Sequence, residues 1–110
     1  MLMAKYQACA ARTMNKDLPI EQTVLHALHG MSAEIGELHS IYQKAYQGHD
    51  VDATHLKKEL GDLLWFIAEY CTAYKWTMDE IAQMNIDKLL ARYPDGFDAE
   101  NSLHRKNGDI

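Results

Sequence analysis

The sequence contains little cysteine and no long apolar run, and each shortage excludes a class of protein. Its only two cysteines, Cys9 and Cys71, have neither a CxxC spacing nor histidines at zinc-finger distances. We therefore expect two buried, reduced thiols and no disulfide framework. The most apolar stretch, residues 60–76, is short and interrupted by charges, so it does not predict a membrane span. The N-terminal residues lack the continuous apolar region of a signal peptide, and the expected location is the cytoplasm.

Positive charge is also scarce. The 110 residues contain 11 lysines and arginines against 16 aspartates and glutamates, for a formal net charge of −5. This balance argues against a nucleic-acid-binding protein. An acidic protein still binds a phosphorylated small molecule when metal ions or local cations neutralise the phosphates. The length predicts a single domain over residues 1–110, with a polar tail over about residues 98–110.

Strand signals are absent, and almost all of the chain has the apolar periodicity of helices. This periodicity predicts four helices, over about residues 2–14, 20–46, 53–76 and 77–92, followed by an irregular tail. Thr77 and Glu80 have the spacing of a capping box at the start of the fourth helix. We expect an all-α fold, an antiparallel bundle of about four helices. The apolar positions cover more than one narrow stripe, so we expect homo-oligomerisation to complete the bundle.

One short pattern occurs twice: Glu-Ile-Gly-Glu-Leu at 34–38 and Glu-Leu-Gly-Asp-Leu at 59–63. Each copy places two carboxylates on one helix face, about one turn apart. Each copy also places a glycine inside a helix, which costs roughly 1 kcal/mol relative to alanine, so Gly36 and Gly61 predict close approach of another element. Four converging carboxylates repel one another unless a cation lies between them, and oxygen ligands suit Mg²⁺ or Mn²⁺. The predicted metal ligands are Glu34, Glu37, Glu59 and Asp62.

Solvated helix faces, a di-iron site and a zinc site each fit these acids less well. Two solvated faces would also carry glutamates, but two copies with internal glycines in apolar sequence disfavour that interpretation. A di-iron bundle needs Glu-x-x-His on two helices, and that motif is absent. A zinc site around His26 and His29 would need further nitrogen or sulfur ligands, and there is no HExxH motif. A site for a hard cation is therefore the favoured interpretation.

The fourth predicted helix carries a second group of polar residues. Asn85, Lys88 and Arg92 lie at i, i+3 and i+7, on one face. Lysine offers a point charge to phosphate oxygens and arginine offers a bidentate fork. Basic residues at a helix C-terminus are also favoured by the helix dipole alone. Beside a hard-cation site, phosphate binding becomes the better interpretation.

Taken in order, these motifs resemble the MazG-like nucleotide pyrophosphohydrolases of the all-α NTP pyrophosphatase superfamily. The similarity covers about residues 25–105 and includes the Gly-Asp-Leu-Leu-Trp run at 61–65 and the Asp-Gly-Phe turn at 95–97. It implies Mg²⁺-dependent hydrolysis of a nucleoside triphosphate to the monophosphate and pyrophosphate, with the four acids holding the metal. The implied substrate-binding residues are Asn85, Lys88, Arg92 and Lys44. The resemblance also implies a homodimer, or a tetramer built from two dimers.

The sequence leaves several points open. Ala33 stands where many family members have a second acid, but the four predicted ligands are intact. Trp65 and Phe66 are candidates for contact with the base, although core packing is the commoner role for such side chains. One alternative function is a non-catalytic helical module whose acidic face binds a partner. Another is a related hydrolase of a non-nucleotide pyrophosphate, such as a phosphoribosyl compound.

Overall fold

The computed structural model describes residues 1–110 and contains five helices and no strand. They are α1 (Met3–Ala11), α2 (Ile20–Ala45), α3 (Ala53–Ala73), α4 (Met78–Arg92) and α5 (Ala99–Leu103). The predicted all-α fold with four main helices is confirmed. The short helix α5 lies in the tail that was expected to be irregular. None of the five helices combines the length and apolar content needed to cross a membrane.

Local sequence chemistry explains where the main helices begin. Pro19 precedes the first residue of α2, where its missing N–H costs nothing. The Asp52 side chain accepts a hydrogen bond from the backbone N–H of Thr54 at the start of α3. The predicted capping box of α4 is confirmed: Thr77 Oγ1 accepts from Glu80 N, and Glu80 Oε1 accepts from Thr77 N.

Helices α2 and α3 form an antiparallel hairpin. His26 lies against Glu69 at one end, and Glu34 lies against Glu59 toward the other. Between these two pairs, Gly30 of α2 packs directly on the ring of Phe66, and a Cβ added to Gly30 would collide with that ring. The close approach that the sequence predicted therefore occurs, but at a different glycine.

The prediction for Gly36 and Gly61 is wrong within this chain. A Cβ built on either residue meets no atom within 4 Å. Both glycines are exposed on their helices. Packing within this chain therefore does not explain why glycine stands at positions where alanine would favour the helix.

Helix α1 contacts both the α2–α3 hairpin and the start of α4. Its Ala10 belongs to a small buried cluster with Ala68, Cys71 and Met78. The Gln7 side chain accepts a hydrogen bond from the backbone N–H of Met78, at 2.8 Å. The same side chain donates to the backbone carbonyl of Trp76, at 2.9 Å. These contacts fix the start of α4 relative to α3.

The core is small for a chain of this length. Only nine of the 110 residues are buried, and the radius of gyration is 17.3 Å, against about 13 Å for a compact domain of this size. Every α4 residue from Asp79 to Ala91 is exposed, including the apolar side chains Ile81, Met84, Ile86, Leu89 and Leu90. A single chain thus leaves much of its apolar helix surface uncovered.

The two cysteines differ in their surroundings. Cys71 is buried in the small core, as predicted, and burial raises the pKa of its thiol. Cys9 is exposed, so the prediction of a buried thiol is wrong there. It lies on α1, a nine-residue helix that buries only Ala10, so most of its surface faces solvent.

Candidate active site

The α2–α3 hairpin brings three of the four predicted metal ligands together. Glu34 projects from α2, and Glu59 and Asp62 project from α3. One carboxylate oxygen from each residue lies within 4.8 Å of the others. Because α2 and α3 are antiparallel, residues 25 to 28 positions apart in sequence become neighbours. We call Glu34, Glu59 and Asp62 the acid cluster.

Glu37 does not belong to the acid cluster in this conformation. It lies one helical turn after Glu34, and its side chain is exposed to solvent. Its negative charge is nevertheless near enough to contribute to the electrostatics of Glu34. Whether Glu37 is a metal ligand stays a prediction.

The surroundings of Glu34 disfavour the charged form of its carboxyl group. Its position next to Glu59, where the two side chains can share a proton, raises the pKa of Glu34 to about 7. Burial adds to the rise, as do the negative charges of Glu59, Asp62 and Glu37. The Oε2 atom of Glu34 is buried and has no hydrogen-bond partner. A buried carboxylate oxygen without a partner is unfavourable unless a proton or a cation compensates it.

These features fit a hard divalent cation. The donor set consists of carboxylate oxygens only, which is the set that Mg²⁺ and Mn²⁺ prefer. The Oε2 atom of Glu34 has no protein hydrogen-bond partner, so a bound cation would compete with no protein group for it. A bound cation would also remove the repulsion among the three acids.

Two residues near the acid cluster were not singled out from the sequence. His55 Nε2 lies 3.2 Å from Glu59 Oε1, one turn earlier on α3. The signal for it was the i, i+4 spacing of a histidine and an acid. Tyr6, from α1, is the other: burial and then the negative charge of Asp62 raise its pKa. No sequence pattern connects Tyr6 with Asp62, because only tertiary packing brings α1 to α3.

The predicted polar stripe of α4 is divided between two surfaces. Asn85 borders an apolar groove between α1, α3 and α4, lined also by Leu64 and Ile67. Lys88 and Arg92 border a different cleft, which they share with the polar tail. The residues lining these two surfaces include none of the four acids. Lys44 is exposed in the last turn of α2. The roles of these four residues stay predictions.

Arg92 has an unpredicted partner. Its Nε donates to Asp109 Oδ2 at 2.8 Å, and its Nη2 donates to Asp109 Oδ1 at 2.6 Å. The two side chains form a bidentate pair, and both are mostly shielded from solvent, with 9% and 15% of their surface exposed. No sequence pattern pointed to Asp109, which lies in the tail.

The aromatic candidates for base contact are both half-buried. Trp65 packs against the small core and donates a hydrogen bond to Thr13 Oγ1, which is a structural role. Phe66 packs against Gly30 and makes edge contacts with the rings of His26 and Trp65. Phe66 lies one turn after Asp62 on α3, so contact with a base stays a prediction for it.

His26 is paired with a carboxylate. Its Nδ1 lies 2.7 Å from Oε1 of Glu69, which is buried, and Glu69 Oε2 has no hydrogen-bond partner. The groups of metal-ligating side chains in the structure comprise the acid cluster alone. The zinc alternative around His26 and His29 thus gains no support.

Comparison with known proteins gives the family. The family model of the MazG nucleotide pyrophosphohydrolase domain matches residues 22–97, which contain most of α2, all of α3 and α4, and the turn that follows. No curated protein and no solved structure matches the chain. The matched region contains all three members of the acid cluster and excludes α1 and the tail. Because the match covers well over half of the residues, the chain belongs to the MazG nucleotide pyrophosphohydrolase domain family.

Proposed function

We propose that the protein hydrolyses a nucleoside or deoxynucleoside triphosphate to the monophosphate and pyrophosphate, with Mg²⁺ or Mn²⁺ as cofactor. The observation that carries this proposal is the acid cluster, in which three carboxylates converge and one buried oxygen lacks a partner. Membership of the family supports the pyrophosphohydrolase reaction. We place this activity in the cytoplasm, following the sequence-based expectation.

Glu34, Glu59 and Asp62 would hold the cation, and Glu37 would join them by turning toward the cluster from the next helical turn. The bound cation would neutralise phosphate charge and lower the pKa of a water molecule. His55 would keep Glu59 oriented through its contact with Oε1. The high pKa of Glu34 means that metal binding must compete with a proton near neutral pH.

The remaining predicted residues would bind and orient the substrate. Lys88 and Arg92 would neutralise phosphate oxygens, while Asn85 and Lys44 would help to position the nucleotide. Phosphoryl transfer depends mainly on positioning and charge stabilisation, so these residues would act without covalent chemistry.

We infer that the active form is a homodimer or a tetramer built from two dimers. The support is the small core together with the exposed apolar side chains of α4. Association of two chains would cover this surface. It would also allow Lys88 and Arg92 of one chain to approach the acid cluster of another.

The direct test is a hydrolysis assay with a panel of nucleoside and deoxynucleoside triphosphates, with Mg²⁺ or Mn²⁺, following pyrophosphate release. We expect turnover of at least one nucleotide, reduced about 100-fold or more by Glu34→Gln. Glu21→Gln is the matched control, since Glu21 is an exposed acid about 20 Å away along the same helix.

Two results would redirect the proposal. If no nucleotide is hydrolysed with either metal, even at high enzyme concentration, the result would favour a non-catalytic interaction module. Turnover of a phosphoribosyl pyrophosphate compound alone would indicate the non-nucleotide hydrolase.

A further inference from the structure

A basic cleft of about 590 Å³ lies between the end of α4 and the tail. Helix α4 contributes Lys88 and Arg92 to its lining, and the tail contributes Arg105 and Lys106. Asp109 contributes the only acidic side chain in the lining. In an acidic protein, four basic side chains around one acidic side chain are an unusual local excess of positive charge.

The tail is folded so that Asp109 reaches Arg92. The backbone N–H of Asp109 donates to the carbonyl of Lys106, which closes a turn. Gly108 inside this turn has a φ of +85°, a conformation that side chains disfavour and glycine permits. The carboxylate of Asp109 then accepts both hydrogen bonds of the Arg92 fork. The contact is therefore built by backbone geometry as well as by charge.

The chemistry of this contact is that of an anion bound by arginine. A guanidinium fork recognises a carboxylate and a phosphate in the same bidentate manner. Arg92 is one of the two α4 cations assigned to phosphate, yet the Nε–Nη2 edge of its guanidinium is already used by Asp109. A phosphate group and Asp109 cannot both occupy this Nε–Nη2 edge, which we call the Arg92 fork.

We propose that Asp109 is an internal competitor, whose carboxylate occupies the Arg92 fork until a polyphosphate group enters the cleft and displaces it. The Arg92–Asp109 contact, which holds the tail against α4, would then break when the anion binds. This inference deepens the proposed function, because it uses the same two α4 cations. It concerns binding alone, however, and does not require that the bound anion be hydrolysed.

Competition by Asp109 has a measurable consequence. The apparent Kd for the anion equals the intrinsic Kd divided by the fraction of molecules in which the fork is free. Asp109→Asn keeps the size of the side chain and removes the charge, so it weakens the internal competitor. The variant should bind polyphosphate more tightly than the wild type.

The experiment is a calorimetric titration of inorganic pyrophosphate into the full chain with EDTA present, so that no metal recruits the anion to the acid cluster. We expect Asp109→Asn to tighten binding by about fivefold or more. The matched control is Asp95→Asn, which removes the same charge from an exposed turn outside the cleft lining. We expect less than about a twofold change from it, because solvent screens exposed charges.

A second variant separates competition at Arg92 from general repulsion. Arg92→Lys keeps the charge but loses the bidentate fork. In an Arg92→Lys background, Asp109→Asn should give a much smaller gain than in the wild-type background. An equal gain in both backgrounds, or an equal gain from Asp95→Asn, would overturn the proposal. So would an Asp109→Asn variant that binds neither pyrophosphate nor a nucleoside triphosphate more tightly than the wild type.

The titration is repeated with a nucleoside triphosphate, again with EDTA, to separate the two sources of a polyphosphate group. A gain with both ligands, or with either one, supports the proposal and identifies the source. No binding of either ligand to any variant at millimolar concentration would overturn it. If Asp109→Asn shows the gain but the metal-loaded wild type hydrolyses nothing, the proposed function fails while this inference stands. If the wild type hydrolyses a nucleotide but Asp109→Asn shows no gain in binding, the proposed function stands and this inference fails.

Discussion

Glu34 is the residue at which burial and charge conflict most directly. Its carboxyl group is close to two other acids and has one buried oxygen without a hydrogen bond. Such a group is stabilised by a proton at low pH and by a cation at higher pH. A proton and a metal ion therefore compete for the same side chain.

The raised pKa of Glu34 predicts the pH dependence of stability in the metal-free protein. Between pH 4.5, the ordinary value, and about 7, the folded state binds more protons at Glu34 than the unfolded state. The contribution of Glu34 to stability is thus present below pH 4.5 and is lost as the pH rises through about 7. At pH 8 with EDTA, the free energy of unfolding of Glu34→Gln should be roughly 1–2 kcal/mol higher than that of the wild type. This figure includes a reduction for solvent screening of the charges.

Urea denaturation of both proteins at about pH 4 and about pH 8 checks this prediction. The difference between them should be near zero at the lower pH, where Glu34 is largely protonated in both states. Addition of Mg²⁺ at the higher pH should stabilise the wild type more than Glu34→Gln. A constant difference at both pH values would contradict the electrostatic account.

Two glycines of α2 should respond oppositely to the same substitution. Gly30→Ala should lower the free energy of unfolding by about 1–3 kcal/mol, because the new Cβ collides with Phe66, whose ring is held between His26 and Trp65. Gly36→Ala should raise it by about 0.5–1 kcal/mol, because nothing lies within 4 Å and alanine favours the helix.

Thermal or urea unfolding of the two variants gives the comparison, and each serves as the control for the other. Destabilisation by Gly36→Ala would show that a second chain fills the space next to this glycine. That result would also explain the repeated glycine of the two motifs.

At the scale of elements, the end of α3 contains a local strain. Lys75 has a φ of +60°, in the left-handed region that glycine prefers. The backbone N–H of Lys75 donates to Thr72 O, and that of Trp76 donates to Cys71 O, which together form a Schellman motif. The motif turns the chain from α3 into α4 and so determines where α4 begins.

Lys75→Gly should raise the free energy of unfolding by about 0.5–1 kcal/mol, because glycine adopts this conformation without steric cost. Lys75→Ala is the matched control, since it removes the long side chain but keeps the Cβ. It should give no comparable gain. Equal stabilisation by both variants in urea denaturation would assign the effect to the lysine side chain and not to the backbone.

At the scale of the whole molecule, the exposed face of α4 predicts self-association. Ile86 and Leu90 are one turn apart on this helix, with 51% and 59% of their surface exposed. Replacing both with lysine should convert an oligomer into monomers, because burying two unpaired charges at an apolar interface is unfavourable. Analytical ultracentrifugation of the wild type and the double variant measures this directly.

The control for this experiment is Gln47→Lys, which adds a charge to the exposed loop after α2 and should leave the oligomeric state unchanged. A wild type that sediments as a monomer at micromolar concentration would contradict the prediction. In that case the open packing of the single chain would be its functional form.

The sequence alone determined the helices and most of the acid cluster, because these depend on local patterns. Periodicity, the capping box and Pro19 define the helices within a few residues, and the spacing of the two motifs puts each acid pair on one face. Only the tertiary structure decided which residues meet across helices. Examples are Gly30 with Phe66, His26 with Glu69 and Asp109 with Arg92.

These contacts join residues that are far apart in the chain, so no periodicity or motif specifies them. The close approach of α2 and α3 occurs where a large ring faces a glycine, and the sequence does not show which ring faces which glycine. The Arg92–Asp109 pair likewise depends on a turn in the tail that only the folded chain forms. Local rules therefore predicted the helices and the acids, while long-range packing determined how the acids and cations are paired.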